Sequence, residues 1–209
     1  MGKWPFYEHL QRRRMIEHDR KIIHSSEESN WRTPPKCYQK LRESFNFALD
    51  LAADAESRLT ERYFGPDSPF GEDALAVDWY QYSMYGAMFL NPPYSKKQKM
   101  PIEPWVMKCW MESQKGCRIV SILPFSPQTD WYRRYVYGHE IDHLHGPERA
   151  IWSGHAAMEE WRLAHRISFL RPDGSPASNA GVNSVVVIWR PNPGFVGPWQ
   201  PAVRYWSYR

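Results

Sequence analysis

Two hundred and nine residues, 42% hydrophobic and 24% charged, are enough for one domain with a full core and too few for two catalytic domains. This composition excludes coiled coil, collagen and global disorder, and the net charge of +4 permits an anionic partner without demanding one. The unusual counts are 18 Pro and 11 Trp within an aromatic content of 15%, which suit stacking surfaces or a Trp-rich core equally well.

Residues 1–30 are polar and charge-mixed, with an Arg12-Arg13-Arg14 run, and are expected to form an appendage without a signal peptide. The domain proper is expected over residues 31–190. Residues 34–44 have helical periodicity, and strand-like runs follow at 45–49, 62–64 and 87–90. Residues 103–115 predict a second helix, opened by Glu103-Pro104 and capped by Gly116. Further strands are expected at 118–123, 166–170 and 184–189, and residues 191–209 alternate Pro, Gly and aromatics as a tail would. Strands alternating with helices argue for an open α/β sheet, whose ligands gather at the carboxyl ends of the strands. Cys37, Cys109 and Cys117 are scattered, which suits reduced, buried thiols in a cytoplasmic protein. The longest clean apolar runs, 87–90 and 185–189, fall far below the roughly 18 residues that a membrane helix needs.

Two motifs carry chemistry. The first is Asn91-Pro92-Pro93-Tyr94, directly after the strand at 87–90. A chain of this composition would contain it by chance about once in 400. Two successive prolines fix φ twice and remove two N–H donors, which leaves a stiff shelf with an exposed carbonyl and an aromatic ring. That shelf suits methyl transfer to the exocyclic amine of a planar base. The amine of adenine is a poor nucleophile because its lone pair is delocalised into the ring. Asn91 Oδ1 and the Pro92 carbonyl could hold its two N–H bonds and aim the lone pair at a methyl donor. Tyr94 would stack on a base flipped out of the duplex.

The second motif is His139-Glu140-Ile141-Asp142-His143, a literal H-E-x-x-H. Its chance frequency is higher, about one in 50. Arg149 stands where the longer zinc pattern wants a third histidine, and Gly138 and Gly146-Pro147 leave room for only about two helical turns. A solvated, His-rich helix end is expected there, and no metal site.

The shelf sits within a longer series. Trp31-x-Thr33-Pro34, Phe45-x-Phe47-x-Leu49-Asp50-x-Ala52-Ala53 and Asp73-Ala74-Leu75-x-x-Asp78-Trp79 precede Asn91-Pro92-Pro93-Tyr94-Ser95. Leu123-Pro124, Thr129-x-Trp131 and Arg166-Ile167-Ser168-Phe169 follow. Over roughly residues 31–190 the series resembles the phage-type (Dam-like) DNA N6-adenine methyltransferases. The resemblance implies a class I S-adenosylmethionine-dependent methyltransferase, Rossmann-like, with a mixed, mainly parallel seven-stranded sheet flanked by helices. It implies that Trp31, Thr33 and Pro34 close over the cofactor, that Asp50 with Ala52 forms the first cofactor motif, and that Asp73 and Leu75 reach the cofactor adenine. For the ribose, Asp67 is the nearest acid after the second strand. It further implies Asn91, Pro92, Pro93 and Tyr94 as the catalytic set, DNA as the partner, no metal, and a phage or prophage origin in a bacterial cytoplasm.

One departure from related enzymes is that Leu49-Asp50-Leu51-Ala52-Ala53-Asp54 contains no glycine, so small alanines must allow the close backbone approach. The same absence separates the chain from the glutamine and ribosomal-RNA guanine methyltransferases that share Asn-Pro-Pro-Tyr. They stay open as an alternative, as does a non-catalytic DNA-binding protein. Charge divides along the chain. Residues 50–78 hold eight acids against Arg58 and Arg62, a net of −6 that suits a cationic cofactor. Residues 95–118 carry a net of +4, and Ser95, Lys96, Lys97 and Lys99, directly after the shelf, are the expected contacts to DNA phosphates. Arg133 and Arg134 are weaker candidates.

Overall fold

The computed structural model describes residues 31–93, 101–142, 149–152, 157–177, 183–190 and 201–209. Among the described residues two α-helices, α1 (Pro35–Arg42) and α2 (Glu103–Lys115), accompany eight strands. These are β1 (Phe47–Asp50), β2 (Ala87–Leu90), β3 (Ile119–Pro124), β4 (His139–Asp142), β5 (Arg149–Trp152), β6 (Glu159–Leu163), β7 (Ser184–Trp189) and β8 (Ala202–Trp206). Six of them form one mixed sheet in the order β1-β2-β3-β7-β6-β8. β1, β2 and β3 pair in parallel, β7 runs antiparallel to both β3 and β6, and β8 pairs in parallel with β6. All strands of this sheet but β7 therefore end on the same edge.

Alternate side chains of the central strands enter two separate cores. Met88, Leu90, Ile119, Leu123, Val185, Val187 and Trp189 join Trp105, Val106 and Cys109 of α2 on one face. Ala87, Phe89, Val120, Ile122, Val186 and Ile188 join Cys37, Tyr38 and Leu41 of α1 on the other. Near-continuous apolar strands are what a sheet covered on both faces requires. Each fully buried Val or Ile contributes about 1.5–3 kcal/mol.

The helices end where the sequence says they should. Pro35 opens α1 and Pro104 lies in the first turn of α2, where a missing N–H costs nothing. Gly116, at φ +119, stops α2 in the left-handed region and donates its N–H to the carbonyls of Glu112 and Ser113. Glu112 is fully buried, and it is tolerated because Lys108 and Lys115 both reach Oε1 at 2.9 Å.

Four expectations change. The sheet has six described strands, one fewer than the resemblance implies, because residues 62–64 contribute only an isolated parallel bridge from Tyr63 to Asp50. Residues 166–170 are not a strand either; Leu170 alone bridges, to Arg32 and Pro176. The strand in that part of the chain is β6, whose Glu159, Glu160 and Arg162 hid it. Residues 202–206, expected as tail, form β8 at the sheet edge. Finally, His139–Asp142 is strand β4, paired antiparallel with β5 from His139↔Trp152 to Asp142↔Arg149. An extended backbone sends successive side chains to opposite sides, so the helical face that H-E-x-x-H needs does not exist. His143 lies outside the described residues.

Candidate active site

Asp50 ends β1, and Asn91 and Pro92 follow β2, so the adjacent parallel strands bring both candidate sets to one edge. Asp50 is 2% exposed. Its Oδ1 accepts from Ala52 N at 3.3 Å and its Oδ2 from Leu59 N at 3.2 Å, which folds the chain sharply after the strand. Burial pushes this carboxyl up to about 7, against the pull of the two backbone donors. No described cation pairs with it. The turn continues through Asp54, whose Oδ1 accepts from the backbone of Glu56 and Ser57.

The close approach expected of the alanines falls partly to a glycine outside the motif. Gly65 lies against Ala53, and a Cβ there would sit 1.7 Å from the Ala53 carbonyl oxygen, with φ at +149. Only glycine fits this position. The sequence signal was available as Phe64-Gly65-Pro66, but its meaning depends on a contact twelve residues back.

Asp73 caps a short 3₁₀ turn, Ala74–Ala76, by accepting from Leu75 N at 2.8 Å. Leu75 is buried in the same core as Leu51, with Ala52 packed at its margin. The structure thus draws Asp50, Ala52 and Leu75 around one end of β1. Asp67 differs. It occupies a left-handed turn at φ +62, exposed, with its carbonyl accepting from Tyr63 OH.

The N-terminal segment reaches the shelf directly. Asn91 Nδ2 donates to the Trp31 carbonyl at 2.9 Å. Because a carbonyl accepts only from the NH₂ end, this bond fixes which way the amide points. Among the described residues no donor reaches Asn91 Oδ1 or the Pro92 carbonyl. Trp31 stacks on Phe169 at 5.9 Å, Arg32 exchanges two backbone bonds with Leu170, and Arg32 pairs with Glu56 at 2.9 Å. Thr33 is buried and Pro34 precedes α1 in an extended conformation. Pro92 is buried and Pro93 half-buried. Tyr94, Ser95, Lys96, Lys97 and Lys99 lie outside the described residues.

The charge map is more internal than the sequence suggests. Lys108 and Lys115 are committed to Glu112, and Lys115 also to Asp78 at 3.0 Å. Arg133 pairs with Asp130 at 2.7 Å and Arg134 with Glu103 at 3.9 Å. Among the described residues no group of three His, Cys, Asp or Glu side chains could hold a metal ion. No described helix is long and apolar enough to cross a membrane.

The family model for DNA N-6-adenine-methyltransferase (Dam) matches residues 21–200, most of the chain. No curated protein and no solved structure matches. A parallel β1-β2-β3 core, an Asn-Pro-Pro shelf at its carboxyl edge and a family match across both lead to one conclusion: the chain belongs to the Dam family of DNA N6-adenine methyltransferases.

Proposed function

We propose that the protein transfers a methyl group from S-adenosylmethionine to the N6 amine of adenine in DNA, with the target base flipped onto the Asn91-Pro92-Pro93-Tyr94 shelf. The fold is read as a class I, Rossmann-like methyltransferase. Support comes from the parallel β1-β2-β3 order, the single reversed strand β7 and the helices on both faces. On the same reading the protein works in a bacterial host cytoplasm and has a phage or prophage origin.

The observation that carries this reading is the orientation of Asn91. Its NH₂ is held by Trp31, so Oδ1 is left as an acceptor at the strand end, one residue before the Pro92 carbonyl in the chain. Two acceptors with no described donor are what an amine with two N–H bonds needs. Holding both bonds favours a more pyramidal nitrogen and withdraws its lone pair from the ring, which is positioning and electrostatic catalysis combined. Tyr94 stacks the base, and Ser95, Lys96, Lys97 and Lys99 take the phosphates that follow.

The family implies S-adenosylmethionine use, and the residues at the end of β1 fit it. Asp50 is a buried carboxylate with no cation beside it, within a stretch of net charge −6, so a cationic ligand would offset a real desolvation cost. Trp31, Thr33 and Pro34 would cover it, Asp50 and Ala52 would hold it, and Asp73 and Leu75 would meet its adenine. When bound, it supplies an electrophilic methyl group. The protein then holds the amine in line with that group, and no covalent bond to the enzyme forms.

The test offers labelled S-adenosylmethionine with DNA, RNA and protein side by side, followed by identification of the modified group. Label on adenine N6 of DNA is expected. Label on RNA guanine or protein glutamine overturns the reading, and absence of donor binding by calorimetry leaves only a non-catalytic DNA-binding role.

A further inference from the structure

A second feature lies on the same sheet edge as Asn91, beyond β3. A cleft of about 330 Å³ is lined by Phe125, Arg162, His165, Arg166, Ser184 and Tyr205, among others, and its lining contains no acidic residue. Topology puts it there. Phe125 follows β3, Leu163 ends β6, and the reversed β7 starts at Ser184 opposite Pro124. From β2 to β7 is two strand spacings, about 10 Å.

Two of its groups keep binding capacity that the fold does not use. Ser184 is 6% exposed, and its hydroxyl has no hydrogen-bond partner among the described residues. A buried hydroxyl in that state is unfavourable unless something else satisfies it. Arg166 donates through Nε to the neutral Asn183 Oδ1 at 3.1 Å, and no described carboxylate pairs with its guanidinium. Arg162, by contrast, is committed to Glu160 at 2.7 Å and lies over the Phe125 ring. The cleft therefore presents an uncompensated cation and an unpartnered buried donor beside the aromatic rings of Phe125 and Tyr205.

We propose that this cleft is a phosphodiester-binding subsite for the DNA strand, with Arg166 supplying charge and Ser184 Oγ a hydrogen bond. The proposal rests on the reading of the protein as a DNA-acting enzyme and adds where the strand runs. Rising about 3.4 Å per nucleotide, a strand entering the Asn91 shelf reaches the cleft within about three nucleotides. A guanidinium and a hydroxyl match two phosphate oxygens, while the rings suit the adjoining sugar or base.

The test compares the full chain with Arg166→Ala and Ser184→Ala, using a labelled mixed-sequence DNA duplex across a salt series. Arg166→Ala should weaken binding about tenfold. It should also reduce the slope of log affinity against log salt by about 0.9, one phosphate contact. Ser184→Ala should weaken binding with the slope unchanged, while Tm stays level or rises because an unsatisfied hydroxyl is gone. Donor affinity should hold in both variants. A Tm change without a DNA effect makes Ser184 purely structural and overturns the proposal, as do variants that bind DNA like the parent. If inorganic phosphate at matched ionic strength raises the Tm of the parent but not of Arg166→Ala, and DNA affinity is equal in both, the cleft holds a free anion and the proposal fails. A parent that binds and methylates no DNA defeats the functional reading itself, which the other outcomes do not.

Discussion

Asn91 and Asp50 stand at the ends of adjacent parallel strands. In the proposed mechanism the amide oxygen of Asn91 is one of two acceptors for the amine, so Asn91→Ala should lower kcat by about 10²–10³. Donor affinity, measured by calorimetry, should change far less. Activity at the parent level would remove Asn91 from the mechanism. Asp50 makes a prediction about pH. Its carboxyl is raised from an ordinary 3.8 to about 7 by burial, so the folded state holds a proton that the unfolded state releases. The stability this supplies is full below about pH 3.8 and is lost as pH rises through about 7. Asp50→Asn should therefore flatten part of the fall in Tm between those values. Parallel Tm curves for parent and variant would show that Asp50 titrates normally.

At the scale of elements, the network below β6 is the clearest case of buried polarity made tolerable. Glu160 is fully buried, with Tyr132 donating to Oε2 at 2.5 Å and Arg162 to Oε1 at 2.7 Å. Burial, with the same carboxylate beside it, pushes the Tyr132 hydroxyl well above its ordinary range. Tyr132→Phe should cost about 1.5–3 kcal/mol in urea denaturation, the loss of a hydrogen bond to a buried charge. A loss below about 0.5 kcal/mol would mean that Arg162 and Tyr137 satisfy Glu160 without Tyr132. This network also explains what sequence reasoning reached and what it missed. β2, β7, α1 and α2 are legible because continuous apolar runs or helical spacing stand between Pro and Gly signals. β6 is not, since Glu159 and Glu160 read as surface until Arg190, Arg204 and Tyr132 are known to meet them. β4 misled because a five-residue spacing was matched to a helical template, while its partner β5 lies further along the chain. The place of Asn91-Pro92-Pro93 directly after β2 was legible in the sequence. The tie of Asn91 to Trp31 was not, because nothing local in either segment announces the other.

For the molecule as a whole, two cores on opposite faces of one sheet leave all three thiols inside. Cys37 and Cys117 are pushed up to about 12 by burial, and burial raises Cys109 well above the ordinary thiol range. Since the thiolate is the reactive form, native protein should resist aromatic disulfide reagents at neutral pH, and all three should react together in urea. Fast reaction of one thiol in native protein would locate a part of the core that opens on its own. Several tryptophans belong to the same design: Trp79 and Trp189 fill the α2-side core, and Trp161 packs between Phe45 and Trp206 on the α1 side.

The bond from Asn91 to Trp31 joins positions 60 residues apart, and it uses the end of the amide that the proposed mechanism does not. Exchanging that NH₂ for oxygen, as Asn91→Asp does, keeps an acceptor facing the amine and deletes the donor facing the N-terminal segment. The expected phenotype is a separation of function, with the donor KM raised while a larger share of kcat survives than in Asn91→Ala. Equal loss in both variants would mean that holding the N-terminal segment and activating the amine cannot be told apart. If they do separate, a one-atom change distinguishes enzymes that fail to retain their methyl donor from enzymes that retain it and cannot spend it.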